Sequence, residues 1–168
     1  MPGPEHLTGQ SDRVACAVIT VSDTRTPESD KSGSLIRERL ETAGHTVVSH
    51  EIIPDEPILV RDRVIALRDE GKTQAIILTG GTGLAARDST IEAVSTLLEK
   101  SIDGFGELFR MLSYAEIGPA AMLSRAEGGV CGKTLVFSMP GSTGAVRLAM
   151  DKLILPELGH MASLVSGA

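Results

Sequence analysis

Two aspartates lie beside stretches of the sequence that are suited to binding an anion. Asp88 closely follows the glycine-rich run TGGTG at 79–83, and Asp55 lies in the segment IIPDEP. A bound phosphate would repel these carboxylates unless a cation lay between them, and Mg²⁺ is commonly held by one or two carboxylates together with substrate phosphates. The pattern therefore predicts a metal-assisted phosphoryl or nucleotidyl transfer in which one or both of Asp55 and Asp88 hold Mg²⁺.

Both aspartates also have structural interpretations, which the sequence leaves open. Arg87 could form an ion pair with Asp88, and Asp55 could be the N-cap of the helix that follows it. The run STIE at 89–92 fits a capping box, in which Ser89 caps the next helix. Asp88 would then be free for another role.

Glycine and small polar residues follow three predicted strands. The three segments are ITVSDT (19–24), ILTGGTG (77–83) and FSMPGST (137–143). Parallel strands place their carboxyl ends at one edge of a sheet, where ligands bind in open α/β folds. Exposed main-chain amides and helix N-termini at this edge favour a phosphate or a carboxylate. Any one of these ends could be only a tight turn, but together they predict an anion-binding pocket.

The elements that would position these loops alternate along the chain. Apolar runs predict strands at 14–21, 46–53, 74–79 and 134–139, and amphipathic periodicity predicts helices near 31–43, 57–70, 90–100, 104–117, 143–155 and 157–165. Strands that are apolar throughout are covered on both faces, so the pattern predicts an α/β fold with a mainly parallel sheet and helices on both sides. We expect one domain over residues 13–166 after a flexible tail at 1–12.

The composition narrows the function and the location. The 168 residues carry a formal net charge of −6, which argues against a nucleic-acid-binding protein. The longest apolar run, at 14–21, is too short to cross a membrane, and the first ten residues lack the basic start and the apolar stretch of a secretory signal. Cys16 and Cys131 show no CxxC spacing and are expected to be free thiols. These features predict a cytoplasmic protein that binds neither membranes nor nucleic acid.

Other motifs of nucleotide-binding and hydrolytic enzymes are absent or incomplete. The chain contains no GxxxxGK[ST] and no GxSxG. Residues 81–86 satisfy GxGxxA, but no acidic residue that could bind a ribose is evident at the end of the next strand.

The segment 104–118 contains three of the four aromatic residues, and its apolar spacing predicts a core or interface face. The alternative for that face is a wall for a flat ring.

Several segments, taken together, resemble a known family. IPDE, TGGTGLAARDST, GFGELFR, MLSRAEGG and SMPGST are similar to motifs of the molybdenum cofactor biosynthesis family, which includes the molybdopterin adenylyltransferases of the MogA and MoaB type. The segments GELFRMLSYAEIG and KTLVFSMPGST are closer to the MoaB branch. The resemblance extends from about Val14 to about Leu158, with the motifs in family order.

The resemblance implies a fold, a reaction and partners. The implied fold is a three-layer αβα sandwich with a mainly parallel sheet, the molybdopterin-binding fold. The implied reaction transfers AMP from Mg-ATP to molybdopterin and releases pyrophosphate, so the expected cofactor is Mg²⁺ and the expected substrates are ATP and molybdopterin. A homo-oligomer, either a trimer or a hexamer, is implied as well, with the apolar face at 104–118 as its seam. A transient contact with the molybdenum insertion protein is also expected.

The resemblance also assigns roles to residues of this chain. Asp55 and Asp88 become the catalytic and metal-binding acids. The nucleotide loop falls on Thr79, Gly80, Gly81, Thr82 and Gly83, the pterin side on Ser124 and Arg125, the far loop on Pro140, Gly141 and Ser142, and further pocket positions on Ser22, Asp23 and the segment DKSG at 30–33.

One departure from the family keeps a second function open. Active adenylyltransferases often carry Asn before the MPG loop, where this chain has Ser138. The alternative is therefore a non-catalytic pterin-binding or assembly protein of the MoaB branch. Members of that branch without the activity lack the two aspartates, whereas this chain has both Asp55 and Asp88, which favours a working enzyme.

Overall fold

The computed structural model describes residues 13–167, so the tail predicted at 1–12 lies outside the described residues. One six-stranded sheet runs through the described part of the chain. Its strands are β1 (Ala15–Val21), β2 (Thr46–Ile53), β3 (Ala75–Thr79), β4 (Lys100–Ser101), β5 (Glu127–Cys131) and β6 (Thr134–Met139). Over the same range, no helix combines the length and the apolar character that crossing a membrane requires.

The sheet is mainly parallel, as predicted. The strand order is β2-β1-β3-β6-β5-β4. The first four strands in this order pair in parallel, so that Val18 of β1 lies between His50 of β2 and Ile77 of β3. Strands β5 and β4 run antiparallel at one end of the sheet. The carboxyl ends of β1, β2, β3 and β6 therefore meet at one edge.

Helices cover both faces of this sheet. They are α1 (Lys31–Thr42), α2 (Pro57–Glu70), α3 (Thr90–Ser95), α4 (Asp103–Ile117), α5 (Thr143–Ala149) and α6 (Leu155–Ser166). Successive side chains of a strand point to opposite faces. Val18 joins Ile36 of α1 and Phe109 of α4 in one buried cluster. Ile19 joins Val64 of α2 in the other cluster. The three-layer αβα arrangement is thus confirmed.

The helix predicted near 90–100 is too long. In the structure α3 ends at Ser95, while the four predicted strands agree to within one residue at each end. Beyond α3, the N–H of Glu99 donates to the carbonyl of Val130 at 2.8 Å. Lys100 and Ser101 then pair with β5 as β4. The backbone hydrogen bonds of this segment therefore go to the sheet edge and not to a continued helix.

Strand β5 is absent from the predicted strands, because its sequence EGGVC contains two glycines and glycine is depleted in strands. Gly128 and Gly129 instead lie inside the strand. A Cβ added to Gly128 would lie 2.7 Å from the ring of Phe137, and one added to Gly129 would collide with the carbonyl oxygen of Lys100. Glycine here permits a close approach of neighbouring chains, which is its usual meaning within a strand.

The last two helices form one continuous helical stretch. A π-helical turn, Met150–Ile154, joins α5 to α6. The boundary predicted at Pro156 is wrong, since this proline lies in the first turn of α6 and the chain remains helical on both sides. Proline lacks a main-chain N–H and disturbs the regular bonding of the preceding turn, which the wider π turn accommodates.

Candidate active site

Loops from the carboxyl ends of four strands line one cleft of about 510 Å³. This volume is within the range of small-molecule sites. The lining residues are Val21, Ser22, Asp23, Thr24, Arg25, Asp55, Gly80, Gly81, Thr82, Gly83, Arg87, Asp88, Pro140 and Gly141. Both predicted acids therefore share one space with residues of all three predicted strand-end loops.

The glycine loop after β3 approaches β1 and α3 closely. Gly80 and Gly81 have positive φ angles of 96° and 65°. A Cβ added to Gly80 would collide with the carbonyl oxygen of Val21. One added to Gly81 would collide with Oγ1 of Thr90 and lie 2.7 Å from Oδ2 of Asp55. Only glycine adopts these angles without strain and leaves this space open.

The same loop presents main-chain donors to a ligand. The N–H of Gly80 is used inside the protein, where it donates to the carbonyl of Met139 at 3.0 Å. By contrast, none of the amides of residues 81–84 donates a hydrogen bond to another described residue. Successive free N–H groups of this kind form a concave site that favours an anion.

Asp55 is buried, with 6% of its surface exposed, and it is held by Ser89. Its Oδ1 accepts hydrogen bonds from the hydroxyl of Ser89 at 2.9 Å and from its N–H at 3.3 Å. Burial raises the pKa of Asp55 above its usual value, and the neighbouring carboxylates of Asp88 and Asp23 raise it further. The hydrogen bonds from Ser89 act in the opposite direction. A cation beside Asp55 would stabilise its charged form and so oppose the rise in the pKa.

Neither Asp55 nor Ser89 caps a helix through its side chain. Asp55 is not the N-cap of α2, because Glu56 occupies that position. Ser89 occupies the N-cap position of α3 but makes no side-chain capping bond, since its hydroxyl donates to Asp55 instead. Next to it, Thr90 Oγ1 is buried beside Gly81 and has no hydrogen-bond partner among residues 13–167.

Asp88 follows the glycine loop in the chain, and its carboxylate binds the main chain of that segment. Its Oδ2 accepts a hydrogen bond from the N–H of Ala85 at 3.1 Å. The same oxygen would lie 2.5 Å from a Cβ added to Gly83, so the loop folds tightly over this carboxylate. Asp88 is thereby oriented by the main chain of the loop that it follows.

Arg87 pairs with Asp23 and Glu56, so the open alternative of an ion pair with Asp88 does not hold. Its Nε and Nη2 donate to the two carboxylate oxygens of Asp23 at 2.8 and 3.1 Å, and its Nη1 lies 2.8 Å from Oε1 of Glu56. The hydrogen bonds from Arg87 hold the pKa of Asp23 below its usual value. Arg87 therefore links three loops of the cleft. Its guanidinium group does not pair with Asp88.

The donor set of the cleft fits Mg²⁺. This ion takes carboxylate oxygens and usually uses one or two of them with substrate phosphates and water, not an all-protein cage. Within the described residues, no group of three or more His, Cys, Asp or Glu side chains is arranged to hold a metal alone. Asp55 and Asp88, which line the cleft beside the free amides of the glycine loop, therefore suit a metal that is shared with a phosphate ligand.

Three predicted hydroxyl residues shape the loops. Ser22 lines the cleft, and its hydroxyl accepts from two N–H groups of its own loop at 3.2 and 3.0 Å. Thr79 donates to the carbonyl of Pro140 at 3.1 Å, and Ser142 caps α5 through its side chain. Thr79 and Ser142 do not themselves line the described cleft.

The predicted DKSG segment has a structural role. Asp30 caps α1 by accepting from the N–H of Gly33 at 2.9 Å. It also accepts from Thr20 at 2.7 Å and lies 3.1 Å from the ring of His50. The segment thus joins α1 to β1 and β2, and it lies outside the lining of the cleft.

Ser124 and Arg125 also lie outside the lining of the cleft. They follow a 3₁₀ helix, Gly118–Leu123. Arg125 Nε donates to the carbonyl of Thr82 at 2.8 Å, and its Nη2 donates to the carbonyl of Gly83 at 2.6 Å. Its Nη1 pairs with Glu92 of α3. The structure therefore brings Arg125 against the glycine loop and not into the cleft.

Sequence reasoning missed Arg25 and Glu56 and misassigned Ser89. Arg25 lines the cleft, and Glu56 holds Arg87. Arg25 directly follows the VSDT segment and Glu56 directly follows Asp55, and these positions were the signals that could have identified them. No signal indicated the partner of Ser89, which is 34 residues away in the chain.

Comparisons with known proteins decide the family. A family model described as "Probable molybdopterin binding domain" matches residues 17–160, which include every residue that lines the cleft. This chain belongs to the molybdenum cofactor biosynthesis family. Within the family it is similar to Molybdenum cofactor biosynthesis protein B of Bacillus anthracis, with 57% identity over 158 residues and 94% of each chain covered.

Solved structures of the molybdenum cofactor biosynthesis family share the fold. A crystal structure of Molybdenum cofactor biosynthesis protein B matches with a TM-score of 0.90 and 55% identity, covering 93% of this chain and 98% of that chain. The tungsten cofactor synthesizing protein MoaB from Pyrococcus furiosus matches with a TM-score of 0.79 and 37% identity, covering 93% and 99%. The resemblance to the MoaB branch and the molybdopterin-binding fold are thus confirmed.

Proposed function

We propose that this member of the family is a molybdopterin adenylyltransferase, which transfers AMP from Mg-ATP to molybdopterin and releases pyrophosphate. The observation that carries the proposal is that Asp55, Asp88 and the free amides of the glycine loop meet at a single cleft of about 510 Å³. Membership of the family supports a pterin as one substrate. The paired acids beside an anion-binding loop support a nucleoside triphosphate as the other.

The proposed reaction is a displacement at phosphorus. A terminal phosphate oxygen of molybdopterin attacks the α-phosphorus of ATP and forms a new P–O bond. The bond from the α-phosphorus to the oxygen that bridges to the β-phosphate breaks, and its electron pair leaves with pyrophosphate. The free amides of residues 81–84 would donate hydrogen bonds to phosphate oxygens, which carry the developing negative charge. The chain therefore needs no nucleophile of its own.

Asp55 and Asp88 are the residues that would hold Mg²⁺. When bound, the ion would offset the negative charge of the phosphate oxygens. The chain fixes both carboxylates before a ligand arrives, since Ser89 holds Oδ1 of Asp55 and the N–H of Ala85 holds Oδ2 of Asp88. Such preorganisation limits the reorganisation needed during the reaction.

Pyrophosphate release tests this proposal. The purified protein with ATP, Mg²⁺ and molybdopterin should release pyrophosphate and form adenylylated molybdopterin. Asp88→Asn should lower the turnover by ~100-fold or more, because a group that stabilises transition-state charge is removed. Its circular dichroism should remain that of the wild type. Asp69→Asn, which alters a carboxylate that is 62% exposed at the end of α2, is the matched control and should leave the turnover unchanged. If the wild-type protein released pyrophosphate only at the background rate, the proposed adenylyltransferase activity would be rejected.

The competing function is a pterin-binding or assembly protein without catalysis, and Ser138 is the residue that favours it. Its hydroxyl is fully buried in β6 and has no hydrogen-bond partner in the described part of the chain, so it offers a substrate no contact. Melting experiments separate the two functions, because a ligand that binds the folded state raises the melting temperature. Stabilisation by molybdopterin with none by Mg-ATP would favour the binding protein.

We further propose a homo-oligomer, a trimer or a hexamer, that forms through α4 and the 3₁₀ helix after it. Phe105 and Phe109 of the predicted apolar face are buried in the core of the chain. Large apolar side chains nevertheless remain exposed beside them: Leu108, Met111, Tyr114, Ile117, Met122 and Leu123. An exposed apolar patch of this extent is typical of an interface between proteins.

A handover partner and a location complete the proposal. Adenylylated molybdopterin must pass to the molybdenum insertion protein, and a transient contact suits a product that has to leave the cleft. Cys16 and Cys131 are free and buried, which agrees with a reducing compartment such as the cytoplasm.

A further inference from the structure

We propose that Arg125 is a positioning residue, which orients the glycine-loop amides that receive the nucleotide phosphates; this inference rests on the proposed function. The family resemblance places Arg125 at the pterin. The structure instead places its guanidinium on two successive carbonyl groups of the loop.

The contacts of Arg125 fix two peptide units at once. Its Nε donates to the carbonyl of Thr82 at 2.8 Å, and its Nη2 donates to the carbonyl of Gly83 at 2.6 Å. The donors of a guanidinium form a rigid planar fork, so two bonds from one group hold the two carbonyls in fixed directions relative to each other. Lysine, with a single ammonium on a flexible stem, has no equivalent fork.

Holding a carbonyl also sets the direction of the next amide. In a trans peptide unit the C=O and the following N–H point in opposite directions, and the described residues contain no cis peptide bond. The carbonyls of Thr82 and Gly83 face Arg125, so the N–H groups of Gly83 and Leu84 face the other side. Thr82 and Gly83 line the cleft, whereas Arg125 and Leu84 do not. The N–H of Gly83 is therefore the donor that this arrangement turns away from Arg125 at a cleft-lining residue. Neither N–H donates to another described residue, and both remain available to a ligand.

Arg125 is itself held by α4. Nη1 of Arg110 donates to the carbonyl of Ser124 at 3.4 Å and to that of Ala126 at 3.3 Å, on either side of Arg125. Gly106 permits this approach, because an added Cβ would lie 2.6 Å from the carbonyl oxygen of Ala126 and 2.8 Å from Nη2 of Arg110. Hydrogen bonds thus link α4 to the main chain on both sides of Arg125, and the side chain of Arg125 to the glycine loop.

Glu92 distinguishes Arg125 from an arginine that binds a phosphate directly. It pairs with Nη1 of Arg125, and the hydrogen bond from Arg125 keeps the pKa of Glu92 below its usual value. Glu92 therefore stays ionised and offsets the charge of Arg125. The arginine acts through the direction of its hydrogen bonds, not through a free positive charge.

The test compares Arg125→Ala and Arg125→Lys with the wild-type protein. NMR order parameters of the amides of residues 82–84 report the order of the loop without any ligand, and calorimetry gives separate Kd values for Mg-ATP and for molybdopterin. In Arg125→Ala the order parameters should fall from about 0.85 towards about 0.6. The Kd for Mg-ATP should rise by about tenfold, as expected when charge-assisted contacts that orient the site are lost. The Kd for molybdopterin should not change.

Arg125→Lys and a control variant sharpen the result. Arg125→Lys should recover only part of the order and of the nucleotide affinity, because one ammonium cannot hold both carbonyls. Arg61→Ala, which removes an exposed arginine of α2, is the matched control and should change neither quantity. Arg125→Lys also provides a folded variant in case the alanine variant does not fold.

The outcomes separate this inference from the proposed function. Unchanged order parameters in the Arg125 variants would overturn the inference whatever the ligands do. A raised Kd for molybdopterin with an unchanged Kd for Mg-ATP would also overturn it and would return Arg125 to the pterin. If the wild-type protein bound no Mg-ATP, the proposed function would fail, while a loss of loop order in Arg125→Ala would still support the positioning role.

Discussion

The hydroxyl of Ser89 donates a hydrogen bond to Oδ1 of Asp55 at 2.9 Å and so joins the start of α3 to the loop between β2 and α2. Because Oδ1 is occupied by Ser89, the other oxygen of Asp55 is left beside Gly81. Ser89 does not line the cleft, yet it sets the direction of one of its two acids.

Replacing Ser89 by alanine should destabilise the fold and alter Asp55. The free energy of unfolding should fall by about 1–2 kcal/mol, since the lost hydrogen bond involves a carboxylate. The pKa of Asp55 should rise further, because the hydroxyl stabilises the charged form. Urea unfolding and an NMR titration of the Asp55 carboxyl measure the two effects.

Ser101→Ala is the control for that experiment. It removes a hydroxyl–carboxylate hydrogen bond of 2.7 Å to Asp103 at an exposed position. Its effect on the free energy of unfolding should stay within about 0.5 kcal/mol. Equal losses in the free energy of unfolding would mean that the hydrogen bond between Ser89 and Asp55 stabilises the fold no more than an exposed one does.

Asp55→Asn should make the protein more stable at neutral pH. Burial, and then the charges of Asp88 and Asp23, raise the folded-state pKa of Asp55, so the folded state binds this proton more tightly than the unfolded chain. The stabilisation from this proton is complete below the unfolded-state pKa and is lost as the pH rises through the folded-state pKa. The melting temperature of the variant should therefore exceed that of the wild type at neutral pH, and the difference should shrink below a pH of about 4.

A melting series from acid to neutral pH measures this difference, with Asp62→Asn, at an exposed position of α2, as the control. The gain in stability should come with a loss of Mg²⁺-dependent activity, because the same charge serves the proposed site. A wild-type protein that is more stable than the variant at neutral pH would contradict the burial argument.

Gly81→Ala should be strongly destabilising, and Gly144→Ala should not. Gly81 has a φ of 65°, and an added Cβ would collide with Thr90. The expected loss in the free energy of unfolding is about 1–3 kcal/mol. A Cβ added to Gly144 of α5 would meet no described residue beyond the adjacent backbone of its own helix within 4 Å, so alanine there should be neutral or stabilising by up to about 1 kcal/mol. Urea unfolding of both variants measures the two changes in the free energy of unfolding. Similar values for the two variants would mean that the glycine loop relaxes freely around an added side chain.

Met111→Glu should break the proposed oligomer. Met111 is 60% exposed on α4 among other exposed apolar side chains, and a charge at an apolar interface is costly to bury. Light scattering should show a shift from an oligomer to a monomer mass. Leu164→Glu, at a position that is 68% exposed on α6, should leave the mass unchanged. A monomer mass for the wild-type protein would reject the oligomer itself.

Local patterns in the sequence were sufficient for the central architecture. An apolar run such as β1 is covered on both faces, and this requirement alone predicts a strand inside a parallel sheet. The shared edge of the strand-end loops then follows from topology, because parallel strands end on the same side. Asp55 and Asp88 could be placed at one site for this reason, before any contact was known.

Glycine shows where such patterns fail. The glycines at 80–81 have positive φ angles and form a turn, whereas those at 128–129 lie inside β5. The residue type is the same, and the difference lies in the neighbours, Val21 and Thr90 in one case and Phe137 and Lys100 in the other. A glycine in the sequence indicates that space is needed but not what fills it.

The layers, the direction of the four parallel strands and the edge at which the acids lie could be predicted from the sequence, because these depend on burial and backbone geometry over a few neighbouring residues. The partners of the polar side chains, by contrast, depend on how distant elements pack. Arg87 binds Asp23 across 64 positions of the chain, and Arg125 binds Thr82 across 43. A hydrogen bond needs two groups within about 3 Å in the correct orientation, and for distant residues the packing of whole elements sets that distance.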